Sequence, residues 1–186
     1  MKKLVLLAAV LCAALPALAA DTGVLKLSLW DKTAIATPAN TQEITGIDFG
    51  IGSNSATVTG VQLDLLFAQT QYELNGVSMA WVISMANEVR GAQLAMLTKS
   101  EMMQGAQLGI VNMNRQELTG LQFGFFNQAE YIKGLQLGFV NYAKTIDGLQ
   151  LGFVNYAKTI DGLQVGILNI AENGWFPAMI FVNGRF

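Results

Sequence analysis

From Gly46 onward the chain repeats one short pattern: a glycine, an apolar residue, a polar one, a second apolar residue, a small one and a third apolar residue. The opening glycines are Gly46, Gly60, Gly76, Gly91, Gly105, Gly120, Gly134, Gly148 and Gly162, and subtraction gives spacings of 14, 16, 15, 14, 15, 14, 14 and 14 residues. Apolar alternating with polar or small residues is a period of two, which predicts a strand with one buried face. Known helical repeats are more than twice as long, so the unit is a short β module.

Reading down the columns shows what each position holds. The residue after the glycine is apolar, from Ile47 to Leu163. The next is glutamine in seven copies, including Gln107, Gln122, Gln136, Gln150 and Gln164, with Asp48 and Ser78 as exceptions. Another apolar residue recurs two before each following glycine, from Val58 to Ile160. The alternation predicts Leu137, Leu151, Phe139 and Phe153 in the core and Gln136 and Gln150 on the opposite face.

Gly120, Gly134, Gly148 and Gly162 alternate with Asn127, Asn141, Asn155 and Asn169, each asparagine seven residues after its glycine. Gly and Asn tolerate positive φ better than other residues, which predicts two chain reversals per copy with these residues at the corners. Two architectures satisfy the pattern. In a β-solenoid each copy is one coil, the leucines form a dry column and the asparagines a hydrogen-bonded ladder. In an antiparallel meander or small β-barrel each copy is a hairpin, with Ile146 and Leu149 paired around an Asp147-Gly148 turn. The residue before the glycine varies too much for a conserved tight turn, and the near-constant length and the Asn column favour stacking. The expected fold is all-β, a solenoid-like stack.

Residues 134–147 and 148–161 are identical, GLQLGFVNYAKTID twice. Identical neighbouring modules build a surface, whereas a catalytic site needs different residues converging at one place. The expectation is a protein that is not an enzyme, with no cofactor. The chain contains no histidine, which excludes His-based catalysis and His-ligated metal. Only 13% of its residues are charged and no basic stripe is present, which speaks against nucleic-acid binding.

The N-terminus reads as a secretory signal over residues 1–19. Lys2 and Lys3 form a charged start, Leu4 to Leu15 an apolar stretch too short to span a bilayer, and Ala17-Leu18-Ala19 a small-x-small cleavage site. Cleavage would remove Cys12 and move the formal charge from −2 to −4 by the loss of two lysines. Residues 20–45 then comprise a leading strand, GVLKLSLWD from Gly23 to Asp31, and an irregular connection. Residues 46–171 are the repeats. Residues 172–186 depart from the pattern and read as a cap, because stacked arrays need atypical ends.

GLQLGFVNYA, the further GLQxGxxN copies, the leading LSLW and the Asn-Gly-Trp-Phe-Pro tail resemble the bacterial surface repeat-containing proteins. The resemblance covers nearly all of the chain after the signal and is looser from Gly46 to Ser100. It implies an exported protein at the periplasm, cell surface or exterior, and carries no chemistry.

The Gln column is the strongest candidate for a binding surface. It would be a flat row of amides for glycans, ice or another polar lattice, as against a solvated column or amides bonding along their own ladder. The carboxylates Asp48, Asp64, Glu88, Glu101, Glu117, Glu130, Asp147 and Asp161 are expected in solvated turns, with no metal bound. Tyr142 and Tyr156 are expected near a corner. Phe186 at the terminus matches the aromatic end of outer-membrane barrels, whose strands of about 9–11 residues are close to LQLGFVNYA in length. The expected function is a regular β surface with a structural or adhesive role at the envelope, with envelope components or glycans as partners. An integral outer-membrane barrel and a small-ligand or lipid-binding barrel remain as alternatives, and peripheral or no membrane contact is favoured over integral insertion.

Overall fold

A computed structural model describes residues 22–31, 33, 34 and 42–186; the signal-like segment 1–19 lies outside them. The chain is a β-solenoid. Its elements are β1 (Thr22–Trp30), β2 (Thr33–Ala34), β3 (Glu43–Ala80), β4 (Ile83–Leu94), β5 (Leu97–Leu108), β6 (Val111–Leu151), β7 (Val154–Ala171) and β8 (Ala178–Arg185), with no helix among the described residues. The sheet order is β2-β1-β3-β4-β5-β6-β7-β8, following the chain from β3 onward. The stack is parallel and in register: Gly148 lies over Gly162, Leu149 over Leu163 and Gln150 over Gln164. The hairpin pairing of Ile146 with Leu149 does not occur, and β1 and β8 are separate ends rather than a closed barrel seam.

The opening glycine makes the stack possible. At Gly148 φ is 143°, and an added Cβ would fall on the carbonyl oxygen of Gly134 in the preceding coil. Only a residue without a side chain allows the backbones to approach this closely at that φ. All nine opening glycines share the conformation.

Each coil has two faces. Residues 148–151 form one strand, the backbone bends at Gly152-Phe153, and a second strand returns through Asn155 and Ile160 to the next glycine. The space between them is narrow. It is filled by one column of larger apolar side chains (Ile44, Val58, Leu74, Val89, Met103, Leu118, Ile132, Ile146, Ile160) and one of alanines (Ala129, Ala143, Ala157, Ala171), all buried.

The other inward columns are amides, and here the structure reverses the expected facing. Gln107, Gln122, Gln136, Gln150 and Gln164 are fully buried, while Phe139 is 41% and Phe153 50% exposed, and Leu137 and Leu151 lie on the outer side, half-buried. The dry column of leucines is therefore absent from the interior. A period of two specifies that alternate residues share a face, not which face is inside. Register decides it, because parallel stacking brings identical amides one strand spacing apart, about 4.8 Å, where each can satisfy the next.

Both ends are covered. β1 pairs in parallel with β3, Leu25 beside Ile47 and Leu27 beside Phe49. β8 pairs antiparallel with β7, Gln164 opposite Asn183 and Val165 opposite Val182. Asn173 extends this cover on the return strand, its side chain accepting from Ile160 N at 2.7 Å and donating to Ile160 O at 3.1 Å. These contacts pair backbone groups that would otherwise be open edges.

Candidate functional site

The Gln column is a ladder. Nε2 of each glutamine donates to Oε1 of the one before it: Gln107 to Gln93 at 3.1 Å, Gln122 to Gln107 at 2.8 Å, Gln136 to Gln122 at 2.8 Å, Gln150 to Gln136 at 2.6 Å and Gln164 to Gln150 at 2.7 Å. The same nitrogen also reaches across the coil to a backbone carbonyl six residues on, as Gln150 does to Tyr156 O at 3.2 Å. The column therefore ties neighbouring coils together and the two strands of one coil to each other. It is sealed from solvent and presents nothing to a glycan or a lattice, so the surface-binding assignment of these five glutamines is corrected.

The asparagines form a second ladder, as stacking predicted. Asn127 donates to Asn141 Oδ1, Asn141 to Asn155 and Asn155 to Asn169, each at 2.8 Å. Their corner role differs from expectation. The only non-glycine residues with positive φ among the described residues are Asp31 and Phe181, so the asparagines hold the corner by their side chains. Asn127, Asn141 and Asn155 each donate to a carbonyl ten residues ahead, Leu137, Leu151 and Val165, at 2.8, 2.9 and 3.0 Å. Gly120, Gly134, Gly148 and Gly162 do take positive φ, between 134° and 143°.

At the N-terminal end the amide columns give way to charge. Lys26 is buried, donates to Asn54 O at 2.9 Å and Ser55 Oγ at 2.8 Å, and lies 3.7 Å from Asp48. Asp48 accepts from Ser28 and Ser55. Asp64 accepts from Ser53 at 2.5 Å through Oδ2, while its buried Oδ1 has no partner. Burial pushes the Asp64 carboxyl up to about 7, helped by nearby Asp48 and opposed by the Ser53 hydrogen bond and by Lys26; burial likewise lowers Lys26 from the usual lysine range, against the pull of Asp48. Asp48 and Asp64 are thus interior, contrary to the solvated turns expected of them. Both aspartates and Lys26 are buried, and the partners they have lie within the stack, so the group plugs the start of the stack.

The remaining predicted carboxylates lie on the return strand. Glu101 pairs with Arg115 at 3.4 Å and Glu130 with Lys144, each one coil apart, and Arg90 pairs with Glu73 at 2.8 Å. Tyr142 and Tyr156 stack on this face with ring centroids 5.1 Å apart. Among the described residues no three Asp, Glu or Cys side chains converge as a metal site.

The surface that sequence reasoning missed is the outside of the opening strand. Leu149, Leu151 and Phe153 point outward, and the same three positions are apolar in every copy from Ile47, Phe49 and Ile51 onward. β1 and β8 prolong this facet at either end through Leu29, Ile180 and Val182. No charged side chain faces out from these positions. Monomers rarely leave a contiguous apolar patch larger than about 300–600 Å² open to water. Over the first six copies the facet is hollowed into an apolar groove of about 700 Å³, lined by residues from Phe49 through Met79, Trp81 and Met96 to Phe123. From the sixth copy to the eighth a ridge of stacked rings rises, Phe125 on Phe139 at 4.8 Å and Phe139 on Phe153 at 4.4 Å. One signal was available: the glutamine column is nearly constant, while the third apolar column runs from Ile51 through Trp81 and Met96 to Phe153. A column that tolerates such volumes is not packed in a core.

No protein-family model matches the chain, and neither the curated proteins nor the solved structures contain a match to it.

Proposed function

We propose that this is a non-enzymatic repeat protein exported to the bacterial envelope, with a structural or adhesive role, and that its working surface is the apolar facet. The observation that carries this reading is the facet itself, an uncharged sheet face exposed along the whole stack. Exposed apolar surface on this scale marks an interaction site. The ionisable groups of the return strand pair along the stack rather than converging. The signal-like N-terminus and the resemblance to surface repeat-containing proteins support the compartment.

Fractionation of a bacterial host tests both parts. The processed chain is expected in the envelope fraction and released by washing. Serines at Leu137 and Phe139 should abolish its retention, whereas serine at Tyr142, on the other face, should leave it intact. Unprocessed chain in the cytosol would defeat the compartment. Retention indifferent to the facet variants would defeat the assignment of the surface.

A further inference from the structure

The groove runs over the first six coils and the phenylalanine ridge over the sixth to the eighth, on one facet of the same stack. We propose that a second copy of this chain covers the facet, the two copies related by a two-fold axis so that the ridge of each fills the groove of the other. The proposal rests on the reading of the facet as the working surface, and names what meets it.

The geometry is self-complementary. The coil opened by Gly105 is the fifth of nine, so a two-fold axis through it sets the seventh coil, with Phe139, over the third, with Met79 and Trp81. Trp81 is 72% exposed and lines the groove. A two-fold contact uses the same patch on both copies and closes on itself. Regular sheets pack face to face at about 10 Å with their outer side chains interdigitating.

The size fits as well. Nine coils with β1 and β8, at about 4.8 Å per strand, give a facet about 50 Å long, and five residues at about 3.3 Å give a width of about 17 Å. That is roughly 800 Å² per copy, the size of a standard specific interface. The electrostatics disfavour a bilayer as the occupant. Peripheral membrane surfaces flank their apolar face with Lys and Arg to meet anionic headgroups. Here the rim residues before the opening glycines balance Arg90 and Lys133 against Asp147 and Asp161, and the chain is net negative.

Sedimentation velocity on the purified processed protein tests the inference. A dimer is expected. Trp81→Glu and Phe139→Lys each change an outward side chain, so circular dichroism should remain that of the wild type. Each alone should weaken self-association on the order of a hundredfold, because it sets a charge against an apolar surface at the centre of an interface. Mixing the two variants should restore the dimer, since Glu then meets Lys and Phe meets Trp. A wild type that stays monomeric, or a dimer indifferent to both changes, overturns the proposal. So does a monomer that floats with phosphatidylcholine vesicles, which would assign the facet to lipid. Monomeric protein still held in the envelope would sink the dimer alone. A dimer recovered unprocessed from the cytosol would sink the envelope role and leave the dimer standing.

Discussion

Asn155 fits against the bare Cα of Gly152: a Cβ at Gly152 would lie 3.1 Å from Asn155 Oδ1 and 2.6 Å from the Nδ2 of Asn141 below it. The small residue four places after the opening glycine and the asparagine seven places after it are therefore one device. The sequence carries the pairing: Gly109, Gly124, Gly138, Gly152 and Gly166 accompany Asn112, Asn127, Asn141, Asn155 and Asn169, whereas Ala95 accompanies Thr98. A shorter side chain at the corner leaves room for a methyl group.

This device predicts a difference between two glycines of one coil. Gly152→Ala sets a methyl group against the carbonyl oxygen of Gly138 as well as on the amide ladder, and should cost roughly 1–3 kcal/mol by overpacking. Gly148→Ala meets a comparable backbone collision and adds a strained φ, so it should cost roughly 3 kcal/mol or more. Urea titration of both variants would check the order; equal costs would mean the stack can shift to accept a side chain.

Removal of one rung should be felt across coils. Gln150→Ala leaves Gln136 Oε1 without its donor and Gln164 Nε2 without its acceptor along the column, and empties a buried site. A loss of about 2–4 kcal/mol is expected from the orphaned amide groups and the cavity. Leu151→Ala, on the outer face, should cost about 1 kcal/mol or less, as its side chain is already partly in water. Chemical denaturation would decide, and a larger loss at Leu151 would reverse the assignment of faces.

Asp64 gives the stability a pH dependence of known sign. Its folded carboxyl titrates at about 7, above an ordinary unfolded value near 3.9, so the folded state holds the extra proton between those limits. Its contribution is therefore full below about pH 4 and declines by about 1.4 kcal/mol per pH unit as pH rises towards 7. Asp64→Asn keeps the shape and abolishes this titration. It should be more stable than wild type at pH 8, and the difference should shrink below pH 5. Thermal melts across this range would show it, and parallel pH profiles for the two proteins would refute it.

Deletion of residues 148–161 tests whether the coils act as modules. The cut joins Asp147 to Gly162 and lets Gln136 meet Gln164 as it now meets Gln150. The shortened chain should fold with β8 in place and lose about one coil of stability, since each repeat contacts only its neighbours. Loss of the β signal in circular dichroism would contradict that modularity.

The glycine period and the alternation along each copy determined the unit, its length and its all-β nature. Near-constant spacing with a recurring asparagine pointed to stacking. The segments read as a leading strand, Gly23–Asp31, and as a cap, 172–186, overlap β1 at Thr22–Trp30 and β8 at Ala178–Arg185. Which face turns inward was not. Leu151 and Gln150 alternate in the same way whichever is inside, and hydrophobicity alone favours burying leucine. Only the parallel register sets Gln150 between Gln136 and Gln164, where buried amides are paired and so lose little by leaving water. The interior then closes around amides, isoleucines and alanines, and the larger apolar side chains are left on the outer face for whatever meets it.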